Sequence, residues 1–119
     1  MDSEILMKSV VKVLDDKKAS DIKVIKLDDL TIMCDYFVIA DADNATHVRS
    51  LVDDVEYELK KEGRNPKRIE KDNSSNWIIL DYQDVVVHIF HKSAREFYNL
   101  ENLWADGQEI ATNDIIEED

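Results

Sequence analysis

Residues 77–90 read WIILDYQDVVVHIF, two apolar runs at 77–82 and 85–90 joined by Gln83 and Asp84. Ten of the fourteen side chains are apolar, and the polar ones are Asp81, Gln83, Asp84 and His88. A hairpin with one face in water alternates apolar with polar residues; this one does not, so both of its faces call for cover. With a two-residue turn, Tyr82 pairs with Val85, Leu80 with Val87 and Ile78 with Ile89 on one face. Asp81 then meets Val86, Ile79 meets His88 and Trp77 meets Phe90 on the other. The first face is core. The second, Trp77, Ile79, Val86 and Phe90 edged by Asp81 and His88, either receives a helix or stays open as a docking surface. Gln-Asp is a poor pair for the favoured primed turns, which leaves a longer, bulged turn open and with it a change of register.

Working outward, the apolar residues Leu6, Val10, Val13 and Leu14 recur at helical spacing, with Asp2 or Ser3 as cap and Glu4 in the first turn, predicting a helix that ends near Lys18. DIKVIKL at 21–27 reads as a strand rich in β-branched residues. YFVIA at 36–40 is a short continuous apolar run, the pattern of a central strand buried on both sides. Asp43 or Asn44 can cap a second helix whose stripe is Val48, Leu51, Val52, Val55 and Leu59, with Gly63 as its stop. Residues 67–71 suit an edge strand at best, 72–76 a turn, and Ser93 can cap a short helix through 95–100. The order helix, strand, strand, helix, strand, hairpin, helix implies an α/β domain with a mixed sheet of about five strands flanked by helices.

The 119 residues suffice for one domain, assigned to 1–105, and the acidic remainder, 106–119, is expected to be a flexible tail. From 101 to 119 there are seven acidic residues and no basic ones. Formal net charge is -12, which repels a phosphate backbone and favours basic partners; specific binding of nucleic acid by the chain alone is not expected. The local exception is 60–71, where Lys60, Lys61, Arg64, Lys67, Arg68 and Lys71 face only Glu62 and Glu70. This stretch is read as a solvated helix end and turn first, and as a contact for an acidic partner or RNA second. One cysteine, Cys34, allows no intramolecular disulfide and no zinc cluster, and fits a reducing compartment. Residues 1–18 hold no uninterrupted apolar run of signal or membrane length, so a cytoplasmic protein with no membrane contact is expected.

The stretch WIILDYQDVVVHIFHKSAREFYNLENLW at 77–104 resembles the ribosomal silencing factor family, also called Iojap-like, whose pattern is W-I-x-x-D-x-G-D-V-x-V-H-x-F followed by a basic residue and Y-x-L-E-x-L-W. Trp77, Ile78, Asp81, Asp84, Val85, Val87, His88, Phe90, Arg95, Tyr98, Leu100, Glu101, Leu103 and Trp104 match it. CDYFVIADADNATHV at 34–48 is similar to the family's S-D-Y-F-V-I-x-x-G-x-S-x-x-H-V, keeping Asp35, Tyr36, Phe37, Val38, Ile39, His47 and Val48. The resemblance spans about 3–106. Gln83 stands where the family has Gly, and 42–44 replaces its Gly-x-Ser turn.

What the resemblance implies is a nucleotidyltransferase-like topology and a non-enzymatic translation repressor with no cofactor. It implies binding to the large ribosomal subunit through universal ribosomal protein fourteen, steric obstruction of subunit joining, and a homodimer in the free state. On that basis Trp77, Tyr98 and Trp104 are the expected anchors, Asp81, Asp84 and Glu101 the acceptors for a basic partner, and His88 a further contact residue. Each has a plainer reading. Trp77 could be core, Tyr98 and Trp104 could clamp the last helix to the sheet, His88 could be held by a carboxylate on the sheet face, and Arg95 could pair inside the domain.

Asp41 and Asp43 form the most enzyme-like feature, because two carboxylates two apart at a strand end can hold Mg2+ for phosphoryl transfer. The alternative function is thus a metal-dependent nucleotidyltransferase-like enzyme. Helix capping explains Asp43 without catalysis, and with only Gly63 and Gly107 the chain has no Gly-rich phosphate loop. Cys34 is best read as a small buried thiol, and three scattered histidines give no metal-ligand spacing.

Overall fold

A computed structural model describes residues 3–27, 35–71, 76–93, 108–110 and 112–116. In chain order the elements are helix α1 (Ser3–Asp16), strands β1 (Ser20–Lys26) and β2 (Tyr36–Ala42), helix α2 (Ala45–Lys61), strands β3 (Arg68–Lys71), β4 (Trp77–Asp81), β5 (Val85–His91) and β6 (Gln108–Ile110), and a short helix α3 (Thr112–Ile116). The strands form one six-stranded sheet in the order β3-β4-β5-β2-β1-β6. Only β2 and β5 run parallel, with Val38 opposite Val87 and Ile39 opposite His88. The apolar run at 36–40 therefore lies in the middle of the sheet, where its continuous hydrophobicity belongs.

The hairpin register agrees with the sequence reading: Leu80 faces Val87, Ile78 faces Ile89, Ile79 faces His88 and Trp77 faces Phe90. Its turn is tight. Tyr82 N–H donates to the Val85 carbonyl at 3.0 Å, Asp84 N–H donates to the Tyr82 carbonyl at 3.0 Å, and Gln83 takes a left-handed φ of 77°. A Gly would adopt that backbone without strain; Gln stands there instead, held by its N–H donating to Asp81 Oδ1 at 2.8 Å.

α1 and α2 lie on one face of the sheet. Leu6, Val10 and Leu14 of α1 and Val48, Leu51, Val55 and Leu59 of α2 are fully buried against Val24, Val38, Ala40, Leu80, Val87 and Ile89. Asn44 caps α2, its side chain accepting the His47 N–H at 2.7 Å, so the capping role falls to Asn44 rather than Asp43. Gly63, with φ 85°, ends α2: its N–H donates to the Lys60 carbonyl and that of Arg64 to the Leu59 carbonyl. α1 stops by the same pair of bonds, Lys18 N–H to Asp15 and Ala19 N–H to Leu14, with Lys18 at φ 68° in the position that favours Gly. The His47 ring meets the Lys17 carbonyl at 3.0 Å, tying the start of α2 to the end of α1. Tyr82 is buried beneath this layer; burial pushes its phenol pKa up, the Glu56 charge adds to the rise, and Arg64 opposes it.

The stretch expected to be a flexible tail differs from that expectation. Gln108–Ile110 pairs antiparallel with β1 as the sixth strand, and α3 sets Ile115, 3% exposed, into the main core beside partly buried Ile110 and Ile116. Three isoleucines within an acidic stretch supply enough apolar surface to hold it there. The short helix expected through 95–100 lies outside the described residues. Of the residues 67–71 expected as an edge strand, Arg68–Lys71 form one, exposed at every position of β3.

The left-handed positions define a stability test. Gln83→Gly and Lys18→Gly are each expected to raise stability by about 0.5–1 kcal/mol, and Gly63→Ala, at φ 85° with open space around it, to lower it by about 1 kcal/mol. Thermal melts should move by about 4 °C per kcal/mol. An unchanged midpoint in both glycine variants would show that no backbone strain is stored at these turns.

Candidate partner-binding face

The face of the sheet opposite α1 and α2 is also apolar. Odd-numbered residues of β2 and β4 and even-numbered residues of β5 point to it, because side chains alternate along each strand. Ile25, Leu27, Ile39 and Phe90 form its buried part, and Phe37, Trp77 and Val86 are half-buried around them. Among the described residues no helix contributes to this cluster.

Aromatic rings dominate one side of the patch. Trp77 stacks on Phe90 with centroids 5.1 Å apart and planes 21° apart, and Phe37 meets the His88 ring edge-on at 4.6 Å. The Trp77 indole N–H donates to His88 Nδ1 at 3.1 Å. Accepting at Nδ1 requires the proton of the neutral ring to sit on Nε2, so the hydrogen bond selects one tautomer. Nε2 is buried with no partner among the described residues, and burial pushes the His88 pKa down to about 4. In place of the carboxylate expected from sequence, its described hydrogen-bond partner is an indole, and burial keeps the ring neutral.

Of the site residues named from sequence, Trp77 and His88 are thus in direct contact, Trp77 half-buried and His88 only 5% exposed. Asp81 lies on the same face, four residues further along β4, roughly 13 Å away. Its Oδ1 accepts the Gln83 N–H and its Oδ2 faces Arg68 at 3.5 Å, so both oxygens already serve the turn and the edge strand. Asp84 sits in the turn, half-buried; its carbonyl accepts the N–H groups of Asp35 at 2.7 Å and Tyr36 at 3.2 Å, anchoring the start of β2. Tyr98, Glu101 and Trp104, like Arg95 and Cys34, lie outside the described residues. Phe37 and Ile39 belong to the same patch but were not singled out from sequence. The signal was the period-2 alternation within 36–40, hidden because both alternating sets there are apolar.

Asp41 and Asp43 do not form a paired opening. Asp41 is 3% exposed, in the sheet beside Phe90, whereas Asp43 is exposed in the bend before α2. Two carboxylates in such different surroundings cannot share one solvent-accessible cation through this geometry.

The buried neutral histidine makes stability depend on pH. The unfolded chain takes up a proton near the ordinary histidine pKa of about 6.5, whereas the folded chain does so only near about 4. The stabilisation is therefore complete above about pH 6.5 and falls away as pH drops toward 4. Between pH 7 and about pH 4.5 the loss from this residue is about 2–3 kcal/mol. The unfolding free energy of wild type should fall by that amount relative to that of His88→Phe as the pH is lowered, read from denaturant unfolding; parallel declines would show that His88 does not carry the effect.

Comparison with known proteins accords with this architecture. The family model described as ribosomal silencing factor during starvation matches residues 1–119. A ribosomal silencing factor of Halalkalibacterium halodurans is 30% identical over 116 residues, covering 98% of this chain and 99% of that one. One from Bacillus subtilis is 32% identical, covering 89% and 90% respectively. A crystal structure of a Chromobacterium violaceum protein superposes with a TM-score of 0.84 at 30% identity, covering 93% of this chain and 92% of that one. With the hairpin register, the central parallel pair and the full-length match in agreement, the chain belongs to the ribosomal silencing factor family.

Proposed function

We propose that this protein is a translational repressor that docks on the large ribosomal subunit through universal ribosomal protein fourteen and blocks the small subunit by occupying its approach. Its action is steric and involves no catalytic step or cofactor, and its place of action is the cytoplasm, with the ribosomes. The observation that carries the reading is the second apolar face: an aromatic patch in which Trp77, Phe37 and Val86 remain half-buried, on a sheet whose other face already holds both long helices. Such a patch has the composition of an interface centre.

Within this reading Trp77 is the anchor. The bond to His88 and the stack on Phe90 fix its ring before a partner arrives, which lowers the entropy lost on docking. Asp81 and Asp84 supply negative charge at the turn end of the hairpin, and Tyr98, Glu101 and Trp104 complete the contact. A net charge of -12 steers the chain toward a basic ribosomal protein and away from indiscriminate contact with RNA. In the free protein the same face is covered by a second copy, giving a homodimer that opens when the ribosomal partner competes for it.

Cosedimentation with isolated large subunits, followed by a subunit-joining assay, tests the proposal. Trp77→Ala should weaken cosedimentation by about thirtyfold or more, as loss of an interface anchor does, while Trp77→Phe, which keeps the stack on Phe90, should lose less. Purified wild-type protein that leaves subunit joining unchanged at saturating concentration would overturn it.

A further inference from the structure

The most basic stretch of the chain plays no part in the aromatic face. Residues 60–71 hold six Lys or Arg and two Glu within a chain of net charge -12, so everything outside this stretch is more acidic than the whole. The fold spreads these residues from the end of α2 along one edge of the sheet: Lys60 and Lys61 in the last turn of α2, Arg64 donating to the Tyr82 carbonyl at 3.2 Å, Lys67 beside Asp81, and Arg68 and Lys71 along the edge strand β3. The acidic C-terminal stretch contributes β6, the opposite edge of the sheet. Five strand spacings separate the two edges, roughly 24 Å.

Several of these cations are engaged within the chain. Lys61 pairs with Glu58, and Arg68 with Glu70 and Asp81. Lys60, Lys67 and Lys71 are exposed and form no ion pair among the described residues. Lys60 complements the helix end, but Lys67 and Lys71 serve no helix dipole. Their plain role would be to keep a bare sheet edge from pairing with another strand.

We propose that Lys60, Lys67 and Lys71 form a second contact that lies against RNA phosphates once the aromatic face has docked; this rests on the ribosome-docking reading above. The length scales permit it. At physiological salt, fields are screened over about 8 Å, so phosphates beside the β3 edge lie out of reach of the acidic β6 edge some three screening lengths away and meet the lysines together with Asp53 and Glu56, which line a hollow with Lys71. An RNA chain approaching from a distance meets the acidic molecule as a whole and is repelled, so the contact forms only when another surface has already fixed the orientation. The sheet would then be oriented on its target by opposite charges at opposite edges.

The test uses the full chain and the variant Lys60→Ala, Lys67→Ala, Lys71→Ala, whose changes are all at exposed positions. Affinities are measured against isolated large subunits from about 50 to 300 mM KCl, and against the RNA-free ribosomal protein. Each phosphate contact adds about 0.7–0.9 to the slope of log affinity against log salt. The variant should therefore bind subunits about tenfold or more weakly at the lowest salt, lose about 2–3 from that slope, and bind the RNA-free protein as wild type does. Trp77→Ala should weaken both interactions and leave the slope unchanged. Equal salt slopes for wild type and the triple variant would reduce the lysines to guards of the strand edge. An equal loss against the RNA-free protein would assign them a protein contact instead. Wild type that binds neither target would remove the docking reading together with this one.

Discussion

The parallel pairing of β2 with β5 is the constraint on which the rest of the molecule depends. Two neighbouring central strands, each apolar on both sides, cannot be satisfied by one layer of helices. α1 and α2, with Ile115 of α3, bury one side, and the other side gathers Ile39 and Phe90 at its centre with Trp77, Phe37 and Val86 only half-buried around them. The driving force that builds the core therefore also builds the second apolar face, since the same strands supply both.

Polar atoms on that second face are few and arranged with economy. His88 is kept neutral by burial, so it can accept the indole proton of Trp77 without bringing a charge into an apolar setting. Asp81 performs a comparable local task at the far end of β4, where it holds the left-handed Gln83 backbone and faces Arg68 of the edge strand. Side chains that look from sequence like ligands for a partner are thus partly committed to shaping the hairpin that presents the aromatic centre.

Much of this was legible in the sequence because the two strongest signals are local. The α2 stripe, a cap at Asp43 or Asn44 and the Gly63 stop follow from spacing and backbone preference, and the hairpin register follows from two apolar runs with two residues between them. What was not legible required knowledge of neighbours. Phe37 and Ile39 join the patch only because β2 lies parallel to β5, a pairing between segments some fifty residues apart that alternation within either strand does not encode. The indole partner of His88 was missed for a similar reason: a carboxylate is the commoner guess, and the cross-strand diagonal from Trp77 becomes apparent only in the folded sheet. The C-terminal stretch misled through its charge, since a count of acidic residues outweighed Ile110, Ile115 and Ile116 in a reading that had no surface on which to bury them.

That C-terminal stretch also bears on how the chain reaches its final form. α1, the first described element, packs against α3, the last described one, and Ile115 fills a place in the core that no earlier described residue occupies. A chain emerging in sequence order therefore carries α1 with part of its apolar stripe uncovered until 108–116 arrive. Contacts between such distant segments close late and slowly. A chain lacking 108–116 would present both an unpaired β1 edge and an open slot beneath α1, two surfaces that invite pairing with other chains.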